Sequence, residues 1–181
     1  MNLKISRCPD KKFKPYVERA ANFYAEFLIP NKRLRDNINL EIRFNPKIDE
    51  YGYASIEDYN EYNKPRYFLV EIHPWIGAPN ILKTLAHEMV HVKQYVRGET
   101  NETLSKWRGV PIDSDKLDYF LHPWEMEAYS LETALVYKFS IKEKLWEVFE
   151  GFVNPSDEIK KTEIKWKKNE KKLQKSDKLV A

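Results

Sequence analysis

The sequence predicts an α+β fold, and three observations predict it. Apolar residues recur at helical spacing in segments near 14–29, 79–97 and 123–150. Between the first two lie short runs that alternate with a period of two, or are continuously apolar, as strands do. Glycine is scarce, at 5 of 181 residues, which argues against a Gly-rich all-β chain or a phosphate-cradling loop.

Each element follows from its residues. In KPYVERAANFYAEFLI (14–29), Pro15 suits a first helical turn. Val17, Ala20 or Ala21, Tyr24, Phe27 and Leu28 recur at helical spacing, and Pro30 closes the helix. NINLEIRFNP then alternates Ile38, Leu40, Ile42 and Phe44, a strand ended by Asn-Pro. EYGYASI is a weaker strand, and PRYFLVEIHP a stronger one, closed by Pro74. Tyr51, Tyr53, Tyr59, Tyr62 and Tyr67 cluster here, either packing a sheet surface or walling a substrate site. A long helix runs from about Pro79 to Arg97, stopped by Gly98. Residues 98–120 read as irregular, with short strands near SKWRGV. A second long helix starts near Pro123 and runs toward 150, and Gly151, Asn154 and Pro155 mark a break. The expected organisation is one domain over 1–152 and a basic tail over 153–181.

Composition narrows the class. Hydrophobic residues at 42% and aromatics at 14% can build a real core at this length. Charged residues reach 33%, and no run of apolar residues suits a signal peptide or a membrane span. A single cysteine, Cys8, suits a reducing compartment, so the expected location is cytoplasmic, without membrane contact. SRCPDKK lacks the histidine pattern of a cysteine switch, and Cys8 reads as an ordinary N-terminal cysteine. Of the net charge of +3, residues 157–181 carry nine lysines against five acids, or +4, which leaves about -1 for the rest. Ile159, Trp166 and Leu173, seven apart, suggest a thin apolar seam on a basic tail helix. That tail would be solvated, or make weak contact with nucleic acid or a protein partner.

The chemistry sits in TLAHEMVHVKQY (84–95), which contains His87-Glu88-Met89-Val90-His91. A helix turns about 100° per residue, so His87 and His91 point only about 40° apart on one face. Two imidazoles so placed can bind one Zn²⁺. Glu88, about 60° beyond His91, leans toward the same cleft and can accept a proton from a zinc-bound water. Thr84 and Gln94 share the histidine stripe, while Leu82, Leu85, Ala86, Met89, Val92 and Val96 form the opposite, apolar arc.

A catalytic zinc commonly takes three protein ligands. A third histidine in HExxHxxGxxH is excluded, because Gln94 and Arg97 occupy those positions. The alternative is a glutamate from a later helix, and LHPWEMEAYS (121–130) offers His122, Glu125 and Glu127. The two glutamates lie about 200° apart on a helix, so only one can face the metal. Glu125, Tyr129 and Glu132 share a polar stripe, and Glu125 falls near a helix N-terminus, where a carboxylate is favoured. His-Pro-Trp occurs at both 73–75 and 122–124, by coincidence or as two Trp anchors flanking the ligand helices.

HEMVHVKQY followed by HPWEMEAYS resembles zincin metallopeptidases of the glutamate-ligand type, in which HExxH is completed by a helix beginning E-x-x-A. The layout is most similar to small phage-encoded metallopeptidases often labelled SprT-like, and it also resembles the ImmA/IrrE type. The resemblance covers about 65–135. It implies a zincin-like fold, His87, His91 and Glu125 as zinc ligands, Glu88 as general base, and a peptide or protein substrate. Glu127 and His122 stay open as third ligands. Tyr129 stands where relatives often carry Asp or Asn. Glu132 can supply the missing carboxylate, and Tyr129 can hydrogen-bond a ligand or an oxyanion. By analogy of order, the strand ending at Ile72 would be the edge strand that aligns substrate. The rival expectation is a non-catalytic zinc module acting through its basic tail.

Overall fold

β1 (Asn2–Ser6) pairs in parallel with β2 (Asn39–Phe44), from Asn2 opposite Asn39 to Ser6 opposite Arg43. A parallel pair cannot be joined by a tight turn, so the intervening chain crosses over one face of the sheet. That crossover is α1 (Lys14–Leu28), followed by the short α2 (Lys32–Asp36). The computed structural model describes residues 1–157. The seam expected from Ile159, Trp166 and Leu173 lies outside the described residues.

The strand order is β1-β2-β4-β3. β4 (Pro65–Ile72) runs parallel to β2, and β3 (Gly52–Tyr59) is antiparallel to β4. This corrects the expectation for the strand ending at Ile72. β4 is internal, paired on both sides, and the free edge beside the helices belongs to β3. The physical reason is that β2 pairs with β4 directly and leaves the intervening β3 to add outside it.

The period-2 pattern divides the sheet into two faces. Leu40, Ile42 and Phe44 stand opposite Phe68, Val70 and Ile72, all buried. The other face carries buried Leu69 among polar and charged side chains. Glu41 accepts from Lys4 at 2.9 Å and from Ser6 at 2.8 Å, and Glu71 accepts from Asn45 at 3.1 Å and from the Tyr53 hydroxyl.

α3 (Ala78–Arg97) packs against β3, β4 and α1. Its predicted apolar arc is buried, Leu82, Leu85, Ala86, Met89, Val92 and Val96 together with Ile81 and Val90. The Tyr24 hydroxyl of α1 donates to the Leu82 carbonyl at 3.4 Å. Pro79 lies in the first turn, and Gly98, at φ 68°, closes the helix. The Glu99 N–H reaches the Gln94 carbonyl at 2.9 Å across that left-handed residue. A two-stranded hairpin follows, β5 (Lys106–Trp107) and β6 (Val110–Pro111), within the segment expected to hold short strands.

α4 (Pro123–Glu143) is shorter than expected. Lys144 takes a left-handed backbone at φ 49°, and a single tight turn, Leu145–Glu147, replaces the last stretch. Met1–Phe139 forms one compact unit and the residues from Ser140 a second. In the first unit Phe139 packs its ring on Phe23 at 5.6 Å and on Tyr24 at 5.8 Å. In the second, Leu145 is fully buried. Among the described residues no helix is long and apolar enough to cross a membrane.

Candidate metal centre

One helix and the start of another build the site. α3 presents His87 and His91 one turn apart, with ring centroids separated by 4.9 Å. α4 begins at Pro123, and the Met126 N–H bonds the His122 carbonyl at 2.9 Å, so Glu125 falls in the first turn. Buried Trp124 plants this helix end against the core. Glu125 is thereby aimed at the histidines from a helix N-terminus, where the backbone dipoles favour an anion.

The donor atoms converge. His87 Nε2 lies 3.2 Å from one Glu125 oxygen, and His91 Nε2 lies 3.5 Å from the other. One ligand atom from each of the three residues falls within 4.8 Å of the other two. Two imidazole nitrogens and a carboxylate oxygen form a donor set that suits Zn²⁺ in both type and number. The residues present therefore fit the ion that the motif implies.

The other ring nitrogens are engaged elsewhere. His87 Nδ1 is 2.9 Å from Glu132 Oε2, and the second oxygen of Glu132 takes Lys83 at 3.1 Å. His91 Nδ1 is 2.9 Å from Gln94 Oε1. With each Nδ1 donating to an oxygen, each Nε2 is left toward Glu125.

The electrostatics match a cluster short of positive charge. Burial pushes the His87 imidazole down, but hydrogen bonds to Glu125 and Glu132 win and hold it up at about 9. Burial also pushes His91 down, but its bond to Glu125 and the nearby Glu88 carboxylate win and raise it. Burial acts to raise Glu125, yet its bonds to both histidines hold it at about 2. At Glu88 burial outweighs the pull of the two histidines and pushes the carboxyl up to about 7.

His87, Glu88 and Glu132 line a cleft of about 510 Å³, together with Glu50, Tyr51, Gly52, Tyr119 and Tyr129. Tyr129 sets its ring 4.7 Å from that of His87 and is partly exposed. The Tyr119 and Tyr129 phenols are both raised, by burial and then by the Glu125 carboxylate, so they stay protonated donors at neutral pH. Gly52 sits where β3 meets α3. A Cβ there would lie 2.5 Å from Thr84 Cγ2 and 2.7 Å from the Glu71 carbonyl.

The remaining candidates from the sequence lie away from the histidines. Glu127 binds Lys93 at 2.8 and 2.9 Å, Gln94 at 3.0 Å and Arg108 at 2.7 Å. His122 stacks on Trp124, and its Nε2 donates to the Ser114 carbonyl at 3.1 Å. The Cys8 thiol donates to the Asp10 carbonyl at 3.3 Å, and burial pushes it up. Trp75 is exposed while Trp124 is buried, so only the second His-Pro-Trp supplies an anchor. Of the clustered tyrosines, Tyr51 alone lines this cleft. Sequence reasoning passed over Gln94 as a partner of His91, although its position three residues on was a usable signal. Tyr119 gave none, because it lies in an irregular stretch.

Comparison of the chain with family models, with curated proteins and with solved structures found no match.

Proposed function

We propose that this chain is a zinc-dependent metallopeptidase of the zincin type with glutamate as third ligand. The observation that carries this reading is the convergence of His87 Nε2 and His91 Nε2 on the two Glu125 oxygens, at 3.2 and 3.5 Å, beside buried Glu88. A purely structural zinc site fills four positions with protein side chains, whereas among the described residues three donors meet here, and His87 and the neighbouring Glu88 line a cleft.

His87, His91 and Glu125 would hold the ion. When bound, Zn²⁺ supplies Lewis-acid chemistry, bringing the pKa of a water toward about 7 and polarising a peptide carbonyl. Glu88, a carboxylate pushed up to about 7 by burial, takes the proton from the attacking water. It then returns that proton to the leaving amine, so one group serves as base and acid. The Tyr129 and Tyr119 hydroxyls, both lining the cleft, donate hydrogen bonds to the carbonyl oxygen as negative charge builds on it.

The edge strand positions the substrate. The His73 N–H bonds the Tyr51 carbonyl at 2.8 Å, so Tyr51, Tyr53 and Ser55 turn their amides toward β4. By the alternation of an antiparallel pair, Gly52 and Ala54 turn theirs outward, where an extended peptide can pair beside Glu88.

The test is digestion of a degenerate peptide library by zinc-loaded protein. Cleavage that stops on chelation and returns with added Zn²⁺ supports the reading. Cleavage indifferent to chelation, or no cleavage by fully loaded protein, contradicts it.

A further inference from the structure

We propose that Gln94 and Glu127 are positioning residues that fix the ring orientation and tautomer of His91. This inference rests on the reading of His87, His91 and Glu125 as metal ligands and extends it one layer outward.

Gln94 is fully buried. Its Nε2 donates to the Trp124 carbonyl at 2.9 Å and to Glu127 Oε2 at 3.0 Å. Both partners are pure acceptors, so the reverse orientation of the amide would set its oxygen against two other oxygens. Gln94 Oε1 therefore faces His91 Nδ1 at 2.9 Å and requires a proton on that nitrogen. With Nδ1 donating, the lone pair of neutral His91 sits on Nε2, on the Glu125 side.

Glu127 cannot turn away to release the amide. Lys93, itself buried, holds both Glu127 oxygens at 2.8 and 2.9 Å, and Arg108 from the β5–β6 turn adds a bond at 2.7 Å. Glu99 holds Lys93 in turn at 2.7 Å. The chain of contacts runs from the hairpin through Glu127 and Gln94 to His91. Glu127, a rival for the third ligand in the sequence, acts on the ion from behind the second one. The two histidines are thereby held by different chemistry, His87 by the Glu132 carboxylate and His91 by a neutral amide oxygen.

The experiment titrates full-length purified protein with Zn²⁺ against a chromogenic chelator, and with Co²⁺ followed through its visible bands. Gln94→Leu is expected to weaken Zn²⁺ binding by about tenfold to a hundredfold and to shift the Co²⁺ spectrum. Glu127→Gln shifts both in the same direction by less. A folded Gln94→Leu protein with wild-type affinity and an unchanged Co²⁺ spectrum overturns the proposal. Should that variant fail to fold, an unchanged spectrum and affinity in Glu127→Gln overturns it instead. Glu125→Gln separates the layers. Wild type that binds no Zn²⁺, or Glu125→Gln that binds as wild type, overturns the ligand assignment and the positioning role with it. Loss in Glu125→Gln beside full affinity in Gln94→Leu overturns the positioning role alone.

Discussion

At the scale of single residues, the cluster holds protons that a bound ion would displace. His87 is held at about 9 against an ordinary 6.5, because its bonds to Glu125 and Glu132 outweigh its burial. Zn²⁺ binds the neutral imidazole, so its affinity rises with pH up to about 9. Calorimetry at neutral pH in buffers of different ionisation heat should read release of about one proton or more per ion. A pH-independent affinity would contradict the ligand role of His87. The same shifts give the metal-free protein a defined pH dependence. A raised folded pKa adds stability below the unfolded value and loses it as pH climbs through the folded one. Glu88 and His87 therefore lower stability as pH rises from about 4.5 to about 7 and from about 6.5 to about 9. Glu125 is depressed, so its contribution is present above about 4.5 and is lost as pH falls toward about 2. Melting temperatures of chelated protein from pH 3 to 9 should fall toward both ends. His87, Glu88 and His91 were legible in the sequence because helical rotation alone puts them on one face. The sequence favours Glu125 as third ligand and leaves Glu127 open. The contacts of Glu127 with Lys93, Gln94 and Arg108 were not legible, because those residues lie 34, 33 and 19 residues away.

At the scale of elements, the meeting of β3 with α3 decides whether the cleft can form. Gly52 is the point of closest approach, since an added Cβ would collide with Thr84 at 2.5 Å and with the Glu71 carbonyl at 2.7 Å. Gly52→Ala is therefore expected to destabilise the protein by about 1–3 kcal/mol, through overpacking rather than backbone strain. Urea denaturation checks the loss, and peptide turnover should fall more than Zn²⁺ affinity, because the strand moves while the ligands stay. Unchanged stability would show that the strand yields without cost. The helices were legible from their apolar periodicity and from Pro15, Pro79 and Gly98. β1 was not. Asn2–Ser6 holds only two apolar residues, Leu3 and Ile5, and it is a strand because β2 pairs with it residue by residue. The order of β3 and β4 was equally hidden, because pairing between distant strands leaves no mark in local composition.

At the scale of the whole molecule, His87, His91 and Glu125 all fall within the compact unit Met1–Phe139, joining α3 to α4 across 38 residues. An ion held by both helices binds the folded unit and not the unfolded chain. Zn²⁺ at about a thousandfold above its dissociation constant should add about 4 kcal/mol to the stability of that unit. A melting temperature that rises on zinc loading and falls on chelation checks this, and a temperature indifferent to zinc contradicts it. The α+β class was legible from the ordering of strand and helix patterns. The division at Phe139 was not, because it falls inside a continuous helix whose sequence carries no break there. In the proposed hydrolysis Glu88 moves the proton while His87, His91 and Glu125 hold the metal. The direct test compares wild type with Glu88→Gln at matched zinc content on one cleavable peptide. The expected result is equal zinc with a loss of turnover of about a hundredfold or more. Equal zinc with equal turnover would contradict the claim.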